Sequence, residues 1–346
     1  MKKILTLALA LVLCFSMLTA WGPAASAEVE QKNSFSMYSC YVEAEVAAMV
    51  EAFTKETGIK VNYVRLSAGE MQARIAAERE NPQVAMIFGM GNDLAMAMDD
   101  EGLLDPFTPA NIDEIYEDYI DPKGVYIPLH TFVTCFGTNK DWLEEHNMEA
   151  PTSWEELLDP VYQNEIMIAH PATSGASYNC LSAIVQRLGV DEGFEYLKAL
   201  DKNVINYTKA GAAPFTSAGL GECAVAIGHS DNAYQAYDQG YPIVITFPKE
   251  GAGYGVGCAA MVKGGPADEQ EAAHKFIEWL VGVQAMKIAN EYDMYPLNKN
   301  SVTDDKMVPF EEIVRVKIDT RLSAETKAEN CARFEAEVRS TADIIK

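Results

Sequence analysis

Ile166-Met167-Ile168-Ala169-His170-Pro171-Ala172-Thr173-Ser174-Gly175-Ala176-Ser177-Tyr178-Asn179-Cys180, running into Leu181–Leu188, carries the decisive pattern. Ile166–Ala169 is a short apolar run that reads as a strand. A break at Pro171 and a small hydroxylated turn follow. Leu181, Ile184, Val185 and Leu188 then recur at helical spacing, closed by Gly189. A turn of this kind sets hydroxyls and free backbone N–H groups at a helix N-terminus, where the dipole favours an anion. An ordinary Ser or Thr N-cap accounts for the same turn, so the surrounding chain has to decide.

Upstream, the pattern alternates. Phe35–Ser39, Lys60–Arg65 and Val84–Phe88 read as strands, and Val42–Thr57 and Ala68–Glu80 as the helices between them. Three strands alternating with helices argue for a parallel α/β sheet whose strand ends line a cleft. Tyr126–Leu129 and Phe132–Gly137 are two further β-like runs that carry the chain into a second lobe. Downstream, Thr152–Leu158 reads as a short capped helix, Glu192–Leu200 as a helix and Val204–Tyr207 as a strand. Ala210–Gly221 is a Gly/Ala/Ser-rich segment. Cys223–Gly228 is a strand leading into a helix that ends at Gln239, and Ile243–Phe247 is another strand. Gly251–Gly257 reads as a glycine-rich turn before the strand Cys258–Val262, the return crossing. Helices are expected over Ala272–Val281, Ala285–Tyr292, Val308–Val316 and Ala324–Ser340. Two crossings imply two discontinuous lobes on a hinge, 28–128 with 254–300 and 129–253 with 301–346.

Residues 1–27 read as a secretory signal, with Lys2-Lys3, the apolar run Ile4–Leu18 and the cleavage site Ala25-Ser26-Ala27. Trp21 stands where a lipoprotein box would need its cysteine, so the expected product is an exported, unanchored protein, periplasmic or secreted. The formal charge of -24 becomes -26 once Lys2 and Lys3 leave, an excess that argues against nucleic acid and anionic membranes. After the signal, no run is long enough to cross a bilayer. The six remaining cysteines form no C-x-x-C pair and lie mostly among apolar neighbours, which points to buried free thiols and no cofactor or metal site. An enzyme is disfavoured: there is no G-x-S-x-G elbow and no identifiable histidine partner for Ser174 or Ser177, and although His130 could pair with Cys40 or Cys135, Cys135 lies in an apolar strand pattern that raises a thiol pKa.

Several ordered motifs carry a resemblance: Thr57-Gly58-Ile59-Lys60-Val61 with Arg65–Glu70, Glu101-Gly102-Leu103-Leu104, Thr152–Leu157, Thr173–Tyr178, Ala226-Ile227-Gly228, Phe247–Tyr254 and Phe276–Leu280. Together they resemble the type II periplasmic solute-binding proteins of ABC transporters, in the branch of ferric-ion, aminoethylphosphonate, sugar-phosphate and thiamine binders. The resemblance implies a two-lobed α/β fold with two hinge crossings. It also implies a monomer that closes on one small anionic ligand and delivers it to a membrane permease driven by an ATPase. It places ligand contacts at Ser39 and Cys40, Gly89 and Gly91, Thr173, Ser174, Gly175, Ala176 and Ser177, and Tyr254.

Asp231 and Asn232 follow a strand end and are expected to read the ligand's far end. A carboxylate there only accepts, which suits a hydroxyl or ammonium and favours an aminoalkylphosphonate or sugar phosphate over bare phosphate. Helix capping by Asp231 is the competing role. Ferric-ion binders of this branch use adjacent tyrosines where this chain has His229–Tyr237, so iron, through Tyr234, Tyr237 and Asp231, is the alternative ligand. A sensor or adhesin on the same fold is the alternative of another class.

Overall fold

The computed structural model describes residues 30–345; the signal and its cleavage site lie outside the described residues. The first lobe is built as the alternation implies. Strand β1 (Ser34–Ser39) pairs in parallel with β2 (Lys60–Arg65) and β3 (Met86–Gly91). Helix α1 (Glu43–Thr57) buries Val46, Met49 and Phe53 and ends on Gly58 at φ +73°, a left-handed cap that glycine adopts without strain. Helices α2 (Ala68–Ala77) and α3 (Asn92–Asp100) follow β2 and β3, and β4 is a two-residue edge (Leu104–Asp105).

The two runs expected between Tyr126 and Gly137 form one strand, β5 (Ile127–Asn139). His130 and Thr131, which separate them in sequence, are 1% and 0% exposed. A strand covered on both faces needs no polar break. Beyond α4 (Lys140–His146) come β6 (Ile166–Ala169), α5 (Gly175–Leu188), α6 (Val190–Asp201), β7 (Val204–Thr208), α7 (Ala213–Gly219), β8 (Val225–His229), α8 (Ser230–Asp238) and β9 (Ile243–Thr246). β6 lies between β7 and β8, parallel to both.

Two strands join the halves. The first part of β5 pairs with β10 (Tyr254–Val262) and the second with β8 and β9, all antiparallel. Helices α9 (Gln270–Val281) and α10 (Val283–Glu291) and the short β11 (Tyr295–Pro296) return to the first lobe; α11 (Thr320–Glu337) packs against both α3 and α5, and β12 (Ile344–Ile345) pairs with β7 of the second lobe. The sheet runs β12-β7-β6-β8-β5-β10-β3-β1-β2. Apolar clusters on both faces of each half give the two-lobed type II architecture.

Several elements differ from the sequence reading. Gly251–Gly257 is not all turn, since β10 begins at Tyr254 and includes Gly255 and Gly257. Those glycines mark close packing: a Cβ at Gly255 would lie 2.2 Å from the Phe132 ring, and one at Gly257 2.1 Å from Tyr41 Oη. The Ala210–Gly221 segment holds a helix, α7, whose Phe215 is fully buried. Thr152–Leu158 keeps only a 3-10 turn, Glu156–Leu158.

Val308–Val316 likewise forms one 3-10 turn, Phe310–Glu312, although Met307, Phe310 and Ile313 are buried. Pinned at every third residue by the core, the segment imitates a helical period without the backbone. These three side chains join the core cluster that also holds Phe35, Met37 and Phe276. All six cysteines among the described residues are free, as expected. No helix there is long and apolar enough to cross a membrane.

Candidate functional site

A cavity of about 620 Å³ lies between the lobes, and four helix N-termini open onto it. Ala68 and Gly69 begin α2, and Gly91 to Leu94 begin α3. Gly175, Ala176 and Asn179 belong to the start of α5, and His229 and Asp231 to that of α8. Phe132, Gly255 and Val256 of the crossing strands form its floor, while Ala324 and Lys327 of α11 complete the wall. A larger groove of about 990 Å³ is lined by Glu149, Glu155, Glu156 and Asp159 of the second lobe, four acids that disfavour an anion.

The four N-termini are not equivalent. Helix α2 closes its own with a capping box between Ser67 and Glu70. Helices α3 and α8 carry Asp93 and Asp231 in their first turns, but α5 carries no acid there. The amides of Gly175 and Ala176 precede the first intrahelical bond, from Tyr178 N–H to the Ser174 carbonyl, and both residues line the cavity. That end of the cavity is the positive one. Lys327 adds an ammonium, held 3.1 Å from Asp93 Oδ2 in this arrangement.

Of the expected contacts, Gly91, Gly175, Ala176 and Asp231 line the cavity; the other eight do not. The helix expected from Leu181 starts at Gly175, so its period, not a turn, orients the hydroxyls. Residues 175, 176 and 179 share the cleft face. Ser177 points inward, donating to the Ala169 carbonyl at 2.5 Å, and Ser174 is the N-cap that accepts from Ser177 N–H. Thr173 donates to the His170 and Lys209 carbonyls.

In the first lobe, Ser39 is fully buried and accepts from Tyr41 N–H, and Cys40 Sγ lies 2.7 Å from the Gly89 carbonyl oxygen. Burial pushes the Cys40 thiol up to about 11. Gly89, at φ +88°, makes room for the Tyr41 ring. Tyr254 packs edge-on to Tyr119, and Asn232 Nδ2 donates to Asp231. For the iron alternative, Tyr234 Oη accepts from Val308 N–H in the core and Tyr237 is exposed. Neither phenol faces the cavity, so the structure does not assemble the iron ligand set considered from sequence.

Sequence reasoning missed Asn179, His229, Lys327 and Phe132. His229 is buried, its ring 4.4 Å from that of Phe132 and its Nε2 3.3 Å from Asn179 Nδ2. Burial lowers its pKa to about 3, leaving a neutral hydrogen-bonding group. The position of His229 after a strand was the available signal. Lys327 had none, because α11 reaches the cleft only through tertiary packing.

Asp231 is half-buried, and burial pushes its carboxyl up to about 6 despite hydrogen bonds from its own N–H and that of Asn232. Helix α8 begins at Ser230 with His229 at its N-cap and no side-chain cap bond, so Asp231 sits inside the first turn rather than in the capping position.

The profile of the family described as bacterial extracellular solute-binding protein matches residues 48–311. The chain belongs to this family. It is 26% identical over 268 residues to the spermidine/putrescine-binding periplasmic protein of Salmonella typhimurium, covering 72% of this chain and 73% of that one. It is 27% identical over 247 residues to a putative 2-aminoethylphosphonate-binding periplasmic protein of the same organism, covering 70% of each. Among solved structures, the periplasmic binding protein AfuA from Actinobacillus pleuropneumoniae, with fructose-6-phosphate bound, superposes with a TM-score of 0.76. Its identity is 24%, and the match covers 89% of this chain and 99% of that one. The fold is therefore that of the type II periplasmic binding proteins, and the family is one of solute-binding proteins that serve ABC importers.

Proposed function

We propose that this solute-binding protein captures a small organic ligand with an anionic, phosphate- or phosphonate-bearing head and an ammonium or hydroxyl at its other end. The anionic head sits at the N-terminus of α5, against the amides of Gly175 and Ala176 and the ammonium of Lys327. The other end meets Asp231. As an exported monomer it delivers this ligand to the permease of an ABC importer. One observation carries the reading: α5 alone among the four converging helices presents neither an acid nor a closed capping box at the cavity.

The test is calorimetry with 2-aminoethylphosphonate on the parent protein and on Lys327→Met. A charge-assisted hydrogen bond is worth roughly 1.5–3 kcal/mol, so the variant should bind about tenfold to a hundredfold more weakly. Putrescine, an amine without an anion, should bind neither protein appreciably. Equal affinity of parent and variant for the phosphonate removes Lys327 from the site. Failure of every phosphorylated or phosphonylated ligand to bind removes the anionic reading.

A further inference from the structure

Helix α11 touches both lobes, but in two different ways. On the second lobe it is built in. Ser323 Oγ lies 2.7 Å from Ser182 Oγ, Tyr178 Oη donates to the Ser323 carbonyl, and Phe334 is buried in that lobe's core. Gln186 fixes the start of the helix, accepting from Asp319 N–H at 2.8 Å and donating to the Asp319 carbonyl at 3.1 Å. Further along, Arg333 reaches Asp191 at 2.9 Å.

The grip on the first lobe is polar and exposed. Thr320, Arg321, Ala324 and Lys327 are spaced three or four residues apart, so they share the side of α11 that meets α3. Thr320 Oγ1 accepts from Asn92 Nδ2 at 3.3 Å. Arg321 Nη1 donates to Asp100 Oδ1 at 3.0 Å, and Lys327 Nζ to Asp93 Oδ2 at 3.1 Å. The side chains of both ion pairs remain open to solvent. Among the described residues, the apolar cluster that holds Ala95 and Met98 of α3 contains no side chain of α11. Buried apolar packing is costly to separate, whereas an exposed ion pair is worth little and is readily exchanged for water. The helix is thus fixed to one lobe and separable from the other.

We propose that α11 is a latch on the cleft, carried by the second lobe and holding the lobes together through its ion pairs with Asp93 and Asp100 of α3. When the pairs break, rotation about the two crossing strands opens the cleft and leaves both cores intact. The latch is independent of the ligand reading, because Arg321 and Asp100 are not among the residues that line the cavity. Lys327 belongs to both, so closing the latch also sets its ammonium in the cavity wall.

Small-angle scattering of the ligand-free protein reads the latch. Arg321→Glu sets two acids face to face and should give a larger radius of gyration than the parent. Its ratio of closed to open molecules should fall about two- to fivefold, the worth of one exposed ion pair. Asp100→Asn, made on the other lobe, should shift the radius in the same direction by less. Combining Arg321→Glu with Asp100→Arg rebuilds the pair in reverse and should return the radius to that of the parent. Radii equal to the parent's in both single variants overturn the latch. So does an increase that the reversed pair fails to undo, since that marks damage to the helix rather than a lost pair. If Arg321→Glu does not fold, as a thermal melt would show, Asp100→Asn decides, and a parent-like radius there overturns the proposal.

Discussion

Glu45→Gln stabilises the ligand-free protein, and the gain grows as pH rises. Burial pushes the Glu45 carboxyl up to about 8 in the folded chain, from an ordinary 4.5. Below the lower value both states are protonated and the carboxyl costs nothing. As pH rises from there, the unfolded chain ionises while the folded one holds its proton, so stability falls by about 1.4 kcal/mol per pH unit. The loss levels off above the folded pKa, at roughly 3–5 kcal/mol in all. Glutamine has the same shape and no such penalty. The buried His130 and His229, both lowered to about 3, act in the opposite direction: stability they withhold at low pH is regained as pH rises. They are common to both proteins and cancel in the difference. Urea denaturation of parent and variant from pH 4.5 to 9 measures it, and a difference flat in pH would show that Glu45 is ionised in the native state.

Gly257→Ala loses about 2–5 kcal/mol of stability, combining an overpacking cost with broken buried hydrogen bonding. The new methyl would stand 2.1 Å from Tyr41 Oη and 2.4 Å from His130 Nε2, two atoms bonded to each other at 2.6 Å inside the crossing strands. Tyr41 has no room to withdraw, because a Cβ on Gly89, on its other contact, would already be 2.4 Å from its ring. Gly69→Ala is the contrast. It meets nothing within 4 Å, lies in α2 and should stabilise by about 0.5–1 kcal/mol. Thermal melts of the two variants should move in opposite directions. A parent-like melt for Gly257→Ala would mean that the strand pair at the hinge yields easily.

Much of the architecture is local in origin and was legible in the residues. The β1–α1–β2–α2–β3 alternation follows from apolar period and from stops such as Gly58, and each is encoded within a dozen residues. The free thiols and strand β6 are equally local. So was the chemistry of the cleft in outline: glycines at Gly91 and Gly175 and an acid at Asp231 do line it.

Tertiary structure decided which atoms face the cavity. The phase of α5 turned Ser177 toward the Ala169 carbonyl and left Gly175 and Ala176 at the cavity, a choice fixed by packing of Tyr178 and Leu181 in the second core. Lys327 lies 234 residues from its partner Asp93 and 152 from Gly175, so no sequence window contains the proposed anion site. The same holds for Glu45, which reads as one polar position on an amphipathic helix. Only the packing of α1, whose helix lies against α10 and β2, buries it, because burial depends on the fold and on nothing adjacent in the chain.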